Sequence, residues 1–264
     1  MLIIGEKINS SIPSVATAIG AMDRPFIEKL ALDQVRAGTG VIDVNAGAFL
    51  EREVELLPWL VTTVQAVTDV PLCIDSPSPA ALAAALAVAG GKVLINSISA
   101  EEDRYRSVIP LVKKYKASIV ALCMDDRGIP ASVGQRLEIA RTLTDRLQAD
   151  GIDANDIYLD VMVQPIGTDN ESGRVALAAV RAIRDQIPGV HITCGLSNVS
   201  FGLPKRRLLN QAFAVALAAS GMDVMFIDPL DERMMALLAA IRALTGTDEY
   251  CCDYLAAYRA GKLG

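Results

Sequence analysis

The sequence predicts an α/β fold, a single-domain (β/α)8 barrel with an extra helix at its C-terminal end. Three observations predict it. Short β-branched or apolar runs alternate with longer amphipathic stretches, the pattern of βα units around a parallel sheet. There are eight such runs, the number that closes a barrel, and the 264 residues are close to the typical length of one barrel domain.

The runs lie at 2–4, 41–44, 72–74, 93–95, 118–122, 157–159, 191–194 and 223–227. Between them the chain carries helix signals: Pro25 opens 26–37 before Gly38, and 52–67 follows the second run. Pro79 opens 79–89 before Gly90 and Gly91, and 101–115 follows the fourth run. The later helices are expected at 132–149 before Gly151, 172–186, 207–219 before Gly221 and 231–244 before Gly246. Proline at a helix start and glycine just past its end are the usual punctuation. The tail, 249–260, reads as the extra helix. No linker or low-complexity tract interrupts the pattern, so residues 1–264 are expected to form one domain. An open doubly wound sheet also alternates strand and helix, but its glycine-rich first turn is replaced here by Gly5-Glu6-Lys7-Ile8-Asn9.

Composition narrows the function. Formal net charge is −6 and the pI about 4.9, against nucleic-acid binding, which needs a surplus of Lys and Arg. No apolar run approaches the roughly 20 residues of a membrane span, and Met1-Leu2-Ile3-Ile4-Gly5-Glu6 carries no export signal, so a soluble cytoplasmic protein without membrane contact is expected. Cys73, Cys123 and Cys194 sit in apolar runs and Cys251 and Cys252 are adjacent, which reads as reduced thiols. The single histidine, His191, lies inside a strand pattern; it reads as structural and removes mechanisms needing two histidines.

Barrel active sites form at the C-terminal ends of the strands, so the polar residues there are the candidates. They are Glu6 and Asn9, Asp43 and Asn45, Asp75, Asn96, Asp125 and Asp126, Asp160, Ser197 and Asn198, and Asp228. Carboxylates accept hydrogen bonds from ring N–H and amino groups, and amides both donate and accept. The set suits a flat neutral heterocycle such as a pterin. A divalent cation could also take these hard oxygens, although no histidine supports a transition metal and no metal is expected. A helix-capping role is at least as plausible as function for Asp125, Asp126 and Asp228. For Asp75, Asn96, Asp160 and Asn198 the joint placement favours function.

Five motifs in register carry a resemblance: Gly5-Glu6-Lys7-Ile8-Asn9, Asp43-Val44-Asn45-Ala46-Gly47, Leu72-Cys73-Ile74-Asp75-Ser76, Ile95-Asn96-Ser97 and Gly195-Leu196-Ser197-Asn198-Val199-Ser200. With them the chain resembles, over essentially its whole length, the methyltetrahydrofolate:corrinoid protein methyltransferases. These belong to the pterin-binding barrel superfamily, with the folate domain of cobalamin-dependent methionine synthase. The resemblance implies that Asp75, Asn96 and Asp160 bond the pterin ring and that catalytic Asn198 lies near N5. Glu6, Asn9, Asp43 and Ser197 complete the expected folate site. It also implies tetrahydrofolate or methyltetrahydrofolate as substrate, a corrinoid (cobalamin) carried by a partner protein, a role in one-carbon metabolism, and a homodimer. Lys7 stands where the family more often has Arg, and Val161 follows Asp160 where it more often has Pro.

The chain lacks the Asp-x-His-x-x-Gly pattern of a cobalt-ligating protein, so the corrinoid is expected on a separate partner. Two alternatives stay open. A dihydropteroate-synthase-like enzyme would need basic groups for pyrophosphate near the strand ends, where Lys205, Arg206 and Arg207 read instead as a helix start. A non-catalytic folate-binding subunit would keep Asp75, Asn96 and Asp160 and could dispense with Asn198.

Overall fold

The structure, a computed structural model, describes residues 1–263. Eight parallel strands form the barrel: β1 (Leu2–Asn9), β2 (Val41–Asn45), β3 (Leu72–Asp75), β4 (Leu94–Ser99), β5 (Ser118–Leu122), β6 (Ile157–Asp160), β7 (His191–Thr193) and β8 (Val224–Ile227). The hydrogen-bonded order runs β7-β6-β5-β4-β3-β2-β1-β8. The helices alternate with them: α1 (Pro13–Gly20), α2 (Arg24–Ala37), α3 (Glu53–Gln65), α4 (Pro79–Val88), α5 (Glu102–Tyr115), α6 (Val133–Ala149), α7 (Ser172–Gln186), α8 (Arg206–Ala219), α9 (Glu232–Leu244) and α10 (Cys252–Arg259). Among the described residues no helix is long and apolar enough to cross a membrane.

Helix boundaries follow local chemistry. Asp23 caps α2 through the Phe26 N–H (3.2 Å), and Gly38, at φ 103°, ends it in the left-handed conformation that L side chains resist. Ser132 and Gln135 form a capping box at α6, and Asp231 caps α9 through the Met234 N–H (3.2 Å). The expected extra helix is a 3-10 turn at Glu249–Cys251 followed by α10. Helix α1 is absent from the sequence reading: its N-cap is Ile12, without a side-chain cap, so only Pro13 marks its start. It buries Val15, Ala18 and Ile19 against β1, α2 and α3.

Two apolar layers result from the two-residue side-chain period of a strand. Outward-facing residues such as Ile42, Ile74, Ile95 and Ile119 pack under the helices. Inward-facing Ile4, Val41, Cys73, Leu94, Val120, Val224 and Phe226 form a separate cluster inside the barrel. Two irregularities interrupt the period. Between Gly5 and Ile8 in β1, and between Asn96 and Ile98 in β4, the register shifts by an extra residue. After the first, Asn9 pairs with Asn45; after the second, Ser99 pairs with Leu122.

The β7–β8 seam is bridged by a side chain. Asp223 accepts hydrogen bonds from the Ile192 N–H (2.8 Å), His191 Nδ1 (2.7 Å) and the Arg184 guanidinium (2.6 Å). Burial pushes this carboxyl up, but the bonds from His191 and Ile192 and the charge of Arg184 outweigh it and hold it below the usual range. His191 also packs its ring on Tyr158 (centroids 4.7 Å apart), which gives the lone histidine the structural role expected of it.

The seam yields a prediction. Asp223→Ala removes the acceptor of these three bonds at the seam, and urea denaturation is expected to show a loss of about 2–3 kcal/mol, the scale of bonds to a charged group. A change below about 0.5 kcal/mol, typical of a surface substitution, would show that the seam does not depend on it.

Candidate functional site at the barrel mouth

The inward-facing parity that fills the lower barrel with apolar side chains places polar ones at its upper end. On β2, Val41 is followed inward by Asp43 and Asn45; on β3, Cys73 by Asp75; on β4, Leu94 by Asn96; on β6, Tyr158 by Asp160. Asn9, Asn45, Asp75 and Asn96 are register partners in succession, so one rung across four strands is entirely polar. Asp160 continues the ring on the far side, paired with Leu122 and Thr193.

The middle of the rung is bonded. Ser10 Oγ donates to Asn45 Oδ1 (2.9 Å), and Asn45 Nδ2 donates to Asp75 Oδ2 (2.9 Å). The Asn45 amide is thereby oriented, and one Asp75 oxygen is left for another donor. Asp160 accepts the Met162 N–H (2.7 Å) and the Gly195 N–H. Below this ring Asp43 is buried, with Oδ1 meeting no donor among the described residues. Glu53, on the first turn of α3, is also buried with Oε1 unpartnered.

Desolvation governs the charge state of this ring, because burial disfavours the ionised form. It pushes Glu6 up to about 7, with the Asp228 charge adding to the rise and Lys7 opposing it. Asp75 is pushed up to about 6 by burial, against the Asn45 hydrogen bond, and the neighbouring Glu53 raises it while Arg104 lowers it. Asp160 is likewise pushed up to about 6 by burial, opposed by the Met162 and Gly195 N–H groups and by Arg136. Asp43 is raised well above the carboxylate range by burial and by the Asp75 charge. Glu6, Asp75 and Asp160 can therefore switch between accepting and donating near neutral pH, and a ligand that supplies N–H donors favours their ionised forms.

Two arginines hold the surrounding loops, and the sequence reading passed over both. Arg104, from α5, donates to the carbonyls of Ser76 (3.0 Å), Pro77 (2.6 Å) and Ser97 (2.6 Å), tying the loop after β3 to β4 beside Asp75. Arg136, fully buried on α6, donates to the carbonyls of Pro130 (3.2 Å), Val161 (2.8 Å) and Met162 (2.6 Å) and fixes the segment that follows Asp160. Both guanidiniums join a nearby carbonyl to carbonyls 25 to 28 residues away in sequence, a pairing that leaves no pattern in the chain. Asn45, noted at its strand end but left out of the expected folate site, was recoverable from alternation with Asp43.

The other expected residues divide. Asn198 lies in a 3-10 turn, Leu196–Ser200, with its side chain exposed at the rim. A Cβ on Gly195 would come within 2.8 Å of Asn198 Nδ2, so glycine there leaves room for the amide. Ser197 contributes its carbonyl, which accepts from Arg206 (2.7 Å) and Ser200 Oγ (3.3 Å). Asn9 joins the rung, but its Oδ1 is occupied by the Ser11 N–H (2.8 Å). Asp125 is held by Arg127 in a tight turn, and Asp228 by Lys7 (2.9 Å) and the Leu230 N–H (2.9 Å); neither is the helix cap weighed for it, since Ser132 caps α6 and Asp231 caps α9. Among the described residues no group of three or more His, Cys, Asp or Glu is placed to hold a metal ion.

Comparison with known proteins places the chain in a family. Residues 22–228 match the family described as pterin binding enzyme. The chain is 39% identical over 266 aligned residues to a methylcorrinoid:tetrahydrofolate methyltransferase of Eubacterium limosum, covering all of this chain and 98% of that one. It is 30% identical over 236 residues to the methionine synthase of Mycobacterium leprae, covering 84% of this chain but 20% of that much longer protein. Among solved structures, the 7,8-dihydropteroate synthase of Vibrio fischeri superposes with a TM-score of 0.69 at 17% identity, covering 92% of each chain. The Burkholderia cenocepacia dihydropteroate synthase complexed with 7,8-dihydropteroate gives 0.67 at 19%, covering 93% of each. At such identity the synthases share the fold alone.

The raised carboxyl groups fix the sign of a pH effect on folding. Glu6, Asp75 and Asp160 release their protons at about 7, 6 and 6 when folded, above their ordinary values, so the folded chain binds more protons than the unfolded one across that interval. Their contribution to stability is full below the ordinary carboxylate pKa and is lost progressively as pH rises from there through about 6 for Asp75 and Asp160 and about 7 for Glu6. Denaturant midpoints are expected to fall over that window in the wild type and to fall less in Asp75→Asn and Asp160→Asn. Equal slopes in all three would show that Asp75 and Asp160 titrate normally.

Proposed function

The chain belongs to the pterin binding enzyme family, and from that premise we propose that it transfers a methyl group between N5 of methyltetrahydrofolate and the cobalt of a separate corrinoid protein. The observation that carries this reading is the match to the Eubacterium limosum methyltransferase over all of this chain and 98% of that one. The match to a stretch of methionine synthase agrees with it. Residues 1–264 act in this reading as one pterin-binding domain.

The ring of polar groups suits the substrate. A pterin presents an amino group, ring N–H groups and a carbonyl along one edge. We assign Asp75 and Asp160 as acceptors for its N–H groups and Asn96 as a partner able to donate and accept. Asn45 orients Asp75, and the unpartnered Asp43 Oδ1 leaves an acceptor deeper in the barrel. Glu6, Asn9 and Ser197 line the wall, with the oxygen of Asn9 engaged in its own turn.

Asn198 faces the reacting nitrogen in this assignment. Toward the corrinoid, the N5–CH3 bond breaks, the methyl joins cobalt and N5 takes up a proton. Toward the folate, the N5 lone pair attacks the methyl on cobalt and N5 then loses its proton. The amide can donate to a bare N5 through Nδ2 and accept from a protonated N5 through Oδ1, so it follows the charge change in both directions. It cannot act as a strong acid, and the proton is exchanged with water. The E. limosum protein's name runs from methylcorrinoid to tetrahydrofolate, and we assign the same direction here. Both reacting centres, N5 and the cobalt, are supplied by the folate and by the partner, so no nucleophile is required from this chain.

Five free cysteines, three of them buried, fit a reducing cytoplasm. The homodimer carried by the family resemblance belongs to the same proposal, with light scattering as its check.

Calorimetric titration with tetrahydrofolate, followed by methylated corrinoid and spectroscopy of the cobalt, tests the whole reading; no folate binding would overturn it. Asp75→Ala and Asp160→Ala are each expected to weaken folate binding about 10- to 100-fold, the equivalent of about 1.5–3 kcal/mol for a bond to a charged acceptor. Asn198→Ala is expected to lower turnover by on the order of 100-fold, as for other single electrostatic groups, with a much smaller effect on Kd. An unchanged rate would remove Asn198 from the mechanism.

A further inference from the structure

The chain is acidic overall, with 31 Asp and Glu against 25 Lys and Arg, yet one groove on the catalytic face is lined by four cations. It is a cavity of about 520 Å³ between the starts of α8 and α9, bounded by Lys205, Arg206, Arg207, Leu208, Gln211 and Arg233. The sequence reading found no basic constellation here because Arg233 lies 26 positions beyond Arg207 and meets it only when the barrel closes.

The cations are unequally engaged. Arg207 pairs with Asp231 (2.9 Å), which also accepts from Gln211, and the nearby Asp228 is taken by Lys7. Arg206 donates to Ser197 O and Ser200 Oγ, which ties the groove to the turn bearing Asn198. Lys205 and Arg233 make no ion pair among the described residues. Three of the four therefore have no carboxylate partner, and a fold of net charge −6 concentrates them on the face where its substrate enters. At the same rim Phe201 is 66% exposed with Arg206 over its ring (5.8 Å), and Leu208 is 57% exposed.

The geometry points to this groove as the binding site for the carboxylates of the substrate's glutamyl tail, an inference that rests on the folate reading and on Asn198 lying at N5. In a reduced folate the carbon that bears the p-aminobenzoyl-glutamate arm is bonded directly to N5. A pterin held with N5 at Asn198 therefore sends its arm out over the turn that Arg206 anchors. The aromatic ring of the arm meets Phe201, and the carboxylates that follow meet Lys205 and Arg233. Each additional glutamate adds one negative charge, so a longer tail gains more from the groove.

The test is calorimetry with tetrahydrofolate carrying one and three glutamyl residues, at low and high salt, on the wild type and on a Lys205→Gln, Arg233→Gln double variant. The triglutamate is expected to bind about tenfold more tightly at low salt, the product of two exposed charge contacts of roughly threefold each, and to lose that advantage at high salt and in the variant. Equal affinity for both forms in the wild type overturns the tail site and leaves the folate reading intact. Binding of neither form overturns both. A preference that survives in the double variant, while methyl transfer with the corrinoid protein slows, assigns the groove to an acidic protein surface and overturns the tail site.

Discussion

The site depends on one geometric constraint: along a strand of a closed parallel barrel, alternate side chains must share a small interior. Ile4, Val41, Cys73, Leu94, Val120, Val224 and Phe226 fill its lower part and exclude water. The next inward positions, Asp43, Asn45, Asp75, Asn96 and Asp160, consequently stand on an apolar floor and are reached by solvent or by a ligand only from the open end. Their raised pKa values follow from that position, since burial is the leading cause for Glu6, Asp43, Asp75 and Asp160 alike. A ring built this way is costly to fold and ready to bind, because a flat molecule bearing N–H groups supplies the donors that water no longer can.

Rigidity comes from outside the ring. Arg104 and Arg136 spend their donors on backbone carbonyls of the loops after β3 and β6, so Asp75 and Asp160 are positioned by segments clamped from behind. Asp223 performs the corresponding task for the last seam of the barrel, satisfying a β7 N–H with a side chain from the head of β8. These three residues use charge to complete backbone hydrogen bonding, which explains how charged groups come to lie at partly or fully buried positions with favourable partners. The arrangement leaves the acceptors of the mouth free for substrate.

Asn198 is placed by a different logic. It stands on an exposed 3-10 turn, with room made by Gly195 and with Arg206 tying that turn to α8. A floor of fixed acceptors and a single amide at an accessible rim suit a reaction in which one substrate remains seated while its methyl exchange partner arrives on another protein. The same turn connects the mouth to the basic groove, so the two ends of an elongated substrate would be read by structurally separate parts of one face.

The sequence by itself determined the barrel, since hydrophobic alternation and helix punctuation are local and survive without knowledge of any neighbour. It also singled out Asp75, Asn96 and Asp160, because the first polar residue after a buried run falls at the strand's open end. Tertiary structure alone decided which of the remaining polar residues share the interior. The extra residue in β1 turns Asn9 inward opposite Asn45, where strict alternation would have sent Ile8, and the irregularity in β4 does the same for Ser99. Helix α1 escaped notice because Ile12 caps nothing, and the clamps Arg104 and Arg136 did so because their partners are main-chain carbonyls that every residue possesses. The gathering of Lys205 to Arg207 with Arg233 likewise required closure of the ring. Periodicity is written in the chain, whereas a bulge or a long-range contact is set by the balance of packing and hydrogen bonding among elements that meet only after folding.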